Sequence, residues 1–126
     1  MANEHLNEQA KSTSSNIIAA DQVEGTNVYN VAGDKLGTVD DIMIDKQSGK
    51  VCYAIMSFGG FLGLGESYHP LPWQKLTYDT DKGGFVVELS RQQLEGAPYY
   101  DKRDYQWTTE YGRKVNDYYG IPPIAV

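Results

Sequence analysis

The chain has few of the residues from which reactive or metal-binding sites are built: one cysteine and two histidines among 126 residues. A single cysteine excludes an internal disulfide and a thiolate metal cluster. Basic residues are in the minority, and the formal net charge of −6 disfavours attraction to nucleic acid or to an anionic membrane surface. We therefore expect a protein that binds no nucleic acid.

Long apolar runs are absent as well. No stretch approaches the ~18 consecutive apolar residues of a membrane-spanning helix, and residues 1–16 lack the apolar core of a signal peptide. The sequence thus predicts a cytoplasmic protein that does not insert into membranes, and it leaves open a peripheral association with a membrane complex.

What is present suffices for one folded core: the chain is 40% hydrophobic and 12% aromatic, and more than half of its ten tyrosines follow Pro98. Residues 1–16 are polar and predict a disordered tail. We expect one barrel domain over residues 17–100 and a helical extension over residues 101–126.

Short apolar stretches separated by turn residues predict a mainly β fold, a small barrel of about six short antiparallel strands. The expected strands cover residues 28–31, 36–45, 50–58, 68–73, 76–78 and 85–89. Alternation slips between Val39 and Ile42, which predicts a β-bulge near Asp40 and Asp41. Two prolines within residues 68–73 predict an edge strand, because each proline removes a donor from the strand ladder.

Two helices are predicted after the strands. Ser90 and Gln93 have the spacing of a capping box, and Trp107, Tyr111, Val115 and Tyr118 recur at helical spacing before the stop at Gly120. The aromatic stripe has two interpretations: it covers the open side of the chain's own barrel, or it packs against another chain. Exchange of the helix within a dimer would combine them.

The glycine-rich run at residues 57–66 (SFGGFLGLGE) comes within one residue of a phosphate-binding loop. Glu66 occupies the position of the required lysine and would repel phosphate. A dinucleotide fingerprint also fails, because Tyr68 stands where its third glycine is needed. We therefore interpret the run as scaffold whose large side chains, Phe61, Leu62 and Leu64, either close the barrel mouth or project toward a partner.

Catalytic and metal-binding patterns are weak. The acidic turn at residues 79–84 opens like a calcium loop but lacks its final glutamate. His69 stands between Tyr68 and Pro70 without a catalytic signature, and Cys52 lies within a predicted core strand. We predict no enzymatic activity, no cofactor and no metal.

The sequence resembles the PRC-barrel family over roughly its middle two-thirds. The resemblance is carried by residues 33–45 (GDKLGTVDDIMID), 49–65 (GKVCYAIMSFGGFLGLG), 70–73 (PLPW) and 94–100 (LEGAPYY). It implies a barrel like those of the cytoplasmic part of the photosynthetic reaction-centre H subunit and the C-terminal domain of the ribosome-maturation factor RimM. It also implies an adaptor that docks onto larger assemblies without catalytic residues, and stand-alone members fit best.

Two classes of function follow. The leading hypothesis is a homodimeric, non-catalytic protein-interaction module that docks onto a larger cytoplasmic assembly. Its candidate contact residues are Phe61, Leu62, Leu64, Trp73, Trp107, Tyr111 and Tyr118. The alternative is binding of a small ligand or ion at the barrel mouth through Glu66, His69 and the acidic turn, or a reaction-centre H-like role in photosynthetic electron transport.

Overall fold

Six strands form one sheet in the computed structural model, which describes residues 16–59 and 65–122. The strands are β1 (Asn27–Asn30), β2 (Lys35–Ile44), β3 (Val51–Phe58), β4 (Ser67–Pro72), β5 (Thr77–Asp79) and β6 (Gly84–Val87). The helices are α1 (Ala20–Val23), α2 (Arg91–Glu95) and α3 (Thr109–Tyr119), and a 3₁₀ turn covers Trp73–Lys75. The predicted mainly β class and the six strands are confirmed.

The hairpin of β2 and β3 supplies two neighbouring interior strands of the sheet and forms largely as predicted. Its turn is closed by the Asp45 carboxylate, which accepts the backbone N–H of Ser48 at 2.7 Å. Hydrogen bonds from Ser48 hold the pKa of Asp45 below its ordinary value. The register shifts between Val39 and Asp41, which confirms the predicted bulge. Val39 and Ile42, before and after the bulge, both pack against the core.

The strand directions correct one expectation. The order across the sheet is β4-β3-β2-β1-β6-β5, and β1 pairs with β6 in parallel, with Val28 opposite Phe85. The sheet is therefore mixed and not wholly antiparallel, and β2, at ten residues, is not short. The parallel pair joins strands far apart in sequence, which local turn signals cannot indicate. The sheet is not closed across the described residues, and β4 is an edge strand, as its prolines predicted.

The core lies between the sheet and the helices that follow it. Every residue of β3 from Tyr53 to Phe58 is buried, as expected of a strand covered on both faces. Val115, Tyr119 and Ile121, from α3 and the residues after it, belong to the same buried cluster as the strands. The C-terminal helix is therefore part of the core, and a chain truncated at Tyr100 would expose that apolar surface.

The two later helices begin and end at their predicted signals, with one correction. Ser90 and Gln93 form the capping box of α2, and α3 ends at Gly120, whose φ is +69°. However, α3 begins at Thr109, so Trp107 precedes it and does not belong to its stripe. The buried face of α3 consists of Gly112, Val115, Asn116 and Tyr119. No helix within the described ranges has the length and apolar character of a membrane span.

Candidate functional site

At Gly59, the first glycine of the run, the backbone lies close to that of Glu66 at the other end of the run, as expected of a scaffold. A Cβ atom on Gly59 would lie 2.5 Å from the Cα atom of Glu66, so only glycine lets the two ends of the run meet beside β3 and β4. Phe61, Leu62 and Leu64 lie outside the described residues. Their contact with a partner stays a prediction.

Trp73 packs within the chain. Its ring meets that of Phe85 with centroids 5.4 Å apart and planes at 64°, a favourable edge-to-face geometry. The side chain is half-buried against the hydrophobic core. Its larger part therefore covers this chain's own strands.

Trp107 lies against β3, the strand next to the edge of the sheet. Its ring centroid is 4.5 Å from that of Tyr53 in β3, and the Tyr53 hydroxyl donates to Asn116 Oδ1 at 2.6 Å in a buried hydrogen bond. Gly112 makes room for the indole, because a Cβ atom there would lie 3.0 Å from Trp107 Cζ2. These contacts hold α3 onto β3 and support the interpretation that the aromatic segment covers its own barrel.

Tyr111 and Tyr118, both on α3, differ in their surroundings and in their exposure to solvent. The Tyr111 ring packs 4.7 Å from the ring of Tyr100, and burial raises the pKa of Tyr111 to about 12. Tyr118 is 44% exposed, and its hydroxyl donates to the carbonyl of Gln93 at 2.6 Å. Of the two, Tyr118 offers the more accessible ring.

A groove of about 690 Å³ runs between the β2–β3 hairpin and α3, and we call it the hairpin groove. Its residues are Met43, Ile44, Asp45, Lys46, Gln47, Cys52, Tyr53, Trp107, Thr109, Gly112, Arg113, Asn116 and Asp117. Ile44, the last residue of β2, is 56% exposed there. Of the predicted contact residues that the structure describes, only Trp107 lines this groove.

An ion-pair cluster fixes the segment that leads into α3. Asp40, at the bulge, accepts hydrogen bonds from Arg103 Nε at 3.0 Å and from the Tyr105 hydroxyl. Burial, together with the bond to Asp40, raises the pKa of Tyr105 above its ordinary value. The Arg103 guanidinium also stands 5.5 Å from the ring centre of Tyr68. Asp40 is therefore paired with side chains of the segment that leads into α3.

Ser67 and His69 lie on the same face of β4 and form a hydrogen bond of 2.8 Å between Oγ and Nε2. The Ser67 hydroxyl donates its single proton to the carbonyl of Phe58 at 2.9 Å, so it must accept from Nε2–H of His69. His69 is only 1% exposed, and Nδ1 has no hydrogen-bond partner among the described residues. Burial lowers the pKa of His69 to about 4.

This Ser–His pair was missed by the sequence reasoning, which found no nucleophile beside a base. The spacing i, i+2 in a strand was the signal available. The pair does not have the polarity of a catalytic dyad, because the serine proton points at Phe58 and no carboxylate of the described residues bonds to Nδ1.

A pocket of about 440 Å³ surrounds this pair, and we call it the His69 pocket. Its described residues are Phe58, Gly59, Gly65, Glu66, Ser67, His69, Glu95, Tyr99 and Asp101. The His69 ring lies between those of Phe58, at 5.3 Å, and Tyr99, at 5.6 Å. Glu66 and His69 thus share one pocket, as the ligand hypothesis expected.

The acidic turn does not join that pocket. Asp79 and Thr80 line a separate depression with Lys75 and Glu88, and the Asp79 carboxylate accepts the backbone N–H groups of the turn itself, at 2.9 Å from Asp81. Among residues 16–59 and 65–122, no three histidine, cysteine or carboxylate side chains converge in a geometry that could hold a metal ion.

A six-stranded mixed sheet covered by an aromatic C-terminal helix defines a small β-barrel-type domain. The chain belongs to the PRC-barrel domain family, which matches residues 15–94. The match confirms the resemblance inferred from the glycine run and its flanking strands.

Known proteins that are similar to this chain include the following two. An uncharacterized protein from Deinococcus radiodurans is 27% identical over 86 residues, which are 68% of this chain; the match spans 30% of that protein's length. A crystal structure of a putative 16S ribosomal RNA processing protein, RimM, from Pseudomonas aeruginosa is 19% identical, with a TM-score of 0.40. That match covers 64% of this chain and 48% of RimM.

Proposed function

We propose that this PRC-barrel chain is a non-catalytic protein-interaction module, and that a second copy of the chain occupies the hairpin groove. The observation that carries the proposal is the exposure of Ile44, 56% of whose surface meets solvent beside Met43, Cys52 and Trp107. Apolar surface of this kind gains free energy when a partner covers it.

The charges around the groove favour a second copy as that partner. Asp45 and Asp117 stand beside Lys46 and Arg113, so the rim is locally neutral while the whole chain carries a net charge of −6. A two-fold interface places the same rim opposite itself, and a rim with both signs can then pair each charge with its opposite. Elsewhere the excess negative charge opposes contact between copies.

The non-catalytic part of the proposal is supported by the polarity of the Ser67–His69 hydrogen bond, which directs the serine proton away from the histidine. Docking of the dimer onto a larger cytoplasmic assembly extends the proposal, in line with the family resemblance. The reaction-centre H-like role stays a prediction from that resemblance.

Light scattering coupled to size-exclusion chromatography tests the groove. We expect the intact chain to elute as a dimer and Ile44→Asp to elute as a monomer, because the aspartate would bury a charge at the centre of the interface. Val31→Asp is the matched control, since Val31 is 67% exposed on the β1–β2 turn and does not line the groove. This variant should remain a dimer.

Two outcomes would contradict the proposal. A monomeric intact chain at millimolar concentration would remove the second copy as the occupant. Dissociation of Val31→Asp to the same extent as Ile44→Asp would show that added charge alone, and not the groove, controls association.

A further inference from the structure

A continuous series of aromatic rings leads from the hairpin groove to the ion-pair cluster at Asp40. It starts at Trp107, which lines the groove and whose ring centroid lies 5.5 Å from that of Tyr111. The series continues to Tyr100 at 4.7 Å, and from there to Tyr105 at 5.5 Å. A single electron can cross gaps of this size between aromatic rings without a cofactor. The four rings therefore connect the groove to the cluster for one-electron transfer.

The loss of a proton decides where an oxidation that starts at Trp107 comes to rest. An indole can lose one electron and keep its proton for a time. A phenol radical cation, in contrast, is a very strong acid, so a tyrosine is oxidised at an accessible potential only when a base takes its proton. The tyrosine whose hydroxyl is bonded to a base is therefore the end point.

The tyrosines nearest to Trp107 have no such base. Tyr53, whose ring centroid is 4.5 Å from that of Trp107, donates its hydroxyl proton to the side-chain amide of Asn116. The Tyr111 hydroxyl is buried without a partner among the described residues, and the Tyr100 hydroxyl donates to a backbone carbonyl at 3.3 Å. Amide oxygens are too weakly basic to remove a phenol proton. None of these three tyrosines can hold the oxidation.

Tyr105 differs because its hydroxyl donates to a carboxylate. Its partner is Asp40 Oδ2, while Arg103 Nε donates to the other oxygen, Oδ1, at 3.0 Å. Within residues 16–59 and 65–122 no other tyrosine hydroxyl donates to a carboxylate. The Arg103 side chain is 64% exposed, so water solvates its charge when Asp40 is neutralised, and little stability is lost with the ion pair.

We propose that these four rings form a one-electron relay that carries an oxidation from Trp107 to Tyr105, with Asp40 as the proton acceptor. A one-electron oxidant in solution, such as the azidyl radical, takes an electron from Trp107 and becomes the azide anion. An electron from Tyr105 then refills Trp107, and the Tyr105 proton moves to Asp40 Oδ2. The products are a neutral tyrosyl radical and a neutral carboxylic acid. One electron from an external reductant such as ascorbate, together with the proton on Asp40, restores both side chains.

The relay would remove an oxidised indole from the groove before it reacts there. The inference does not rest on the proposed dimer, because Trp107 is the only member of the relay that lines the groove among the described residues. The Ile44→Asp variant leaves the groove without a second copy, so the relay is measured with and without this substitution. A relay that fails in both proteins is then distinguished from a dimer that fails to form.

Pulse radiolysis in a Trp73→Phe background tests the relay, because Trp107 is then the remaining tryptophan and azidyl radicals oxidise tryptophan faster than tyrosine near neutral pH. We expect the absorbance of the indole radical to decay while that of a tyrosyl radical rises, at one rate that is independent of protein concentration. Tyr105→Phe should slow this decay by about tenfold or more, which requires a barrier higher by only ~1.4 kcal/mol. Asp40→Asn should slow it likewise, because an amide accepts the hydrogen bond but does not take the proton.

Tyr118→Phe is the matched control. It removes the same hydroxyl group from a tyrosine whose ring contacts Tyr119 and no member of the relay, and it should leave the decay unchanged. Exchange into D₂O should slow the decay in the unsubstituted relay, which tests the proton transfer if Asp40→Asn does not fold. The proposal is overturned if no tyrosyl radical replaces the indole radical, if Tyr105→Phe and Tyr118→Phe slow the decay equally, or if neither Asp40→Asn nor D₂O changes it.

Discussion

Lowering the pH should destabilise the folded chain through His69, whose pKa is lowered to about 4 from an ordinary value of 6.5. Between these two values the unfolded chain binds a proton at this residue and the folded chain does not, so stability is lost as the pH falls. Each pH unit in this window corresponds to about 1.4 kcal/mol. The total loss between pH 6.5 and pH 4 is therefore about 3 kcal/mol.

Burial is the cause of this shift. His69 is 1% exposed and packed between two aromatic rings, so its charged form loses most of its hydration in the folded state. Glu66, Glu95 and Asp101 lie on the same pocket and would attract a protonated imidazole, but all three are exposed to solvent. Water screens their attraction, and the desolvation of His69 dominates.

Urea unfolding of the intact chain and of His69→Phe, measured at half-unit steps from pH 7.5 to pH 4, isolates the contribution. Phenylalanine keeps an aromatic ring between Phe58 and Tyr99 and cannot titrate, while His5 and all carboxyl groups are present in both proteins. The difference in unfolding free energy should be flat above pH 7 and then shift by about 3 kcal/mol in favour of the variant. If the two proteins lose stability in parallel, His69 titrates alike in both states and the reasoning is refuted; His69→Gln gives the same comparison if the phenylalanine does not fold.

Two further predictions concern the contact between α3 and β3. Tyr53→Phe should lower the free energy of unfolding by about 1–3 kcal/mol, because it leaves the buried Asn116 Oδ1 without its donor; urea unfolding measures this, and a loss within error would show that water replaces the hydroxyl. Gly112→Val should lower the free energy of unfolding by about 1–3 kcal/mol, because the larger side chain overpacks against Trp107. In a Trp73→Phe background, where Trp107 is the remaining tryptophan, the same substitution should shift the fluorescence of Trp107 to the red. An unshifted spectrum would contradict the close contact.

The parts of the fold that sequence patterns predicted depend on neighbours in the chain. The slip in alternation after Val39 located the bulge, the spacing of Ser90 and Gln93 located the start of α2, and Gly120 located the end of α3. In each case the physical cause lies within a few residues of the signal. At the bulge the side chains change face, at Ser90 a hydroxyl caps a backbone N–H, and at Gly120 the backbone adopts a positive φ.

The parts that could not be predicted depend on contacts across the fold. Asp40 and Arg103 are 63 positions apart, and nothing near either residue indicates the other. The aromatic stripe was right in part: Val115 is buried and Tyr111 packs against the core, but Tyr118 is exposed. Spacing alone could not tell that Trp107 precedes the helix and packs over Gly112. A glycine inside a helix costs about 1 kcal/mol relative to alanine, so Gly112 was itself a signal of close packing.

The two candidate sites lie at opposite ends of β3. Cys52 lines the hairpin groove and Phe58 lines the His69 pocket, and six residues of extended strand separate them by about 20 Å. The strand between them is buried and hydrogen-bonded on both sides, so it holds the two sites at a fixed distance. No described residue lines both sites. The strand therefore sets the spacing between a groove with an exposed apolar side chain, Ile44, and a pocket lined by three carboxylates.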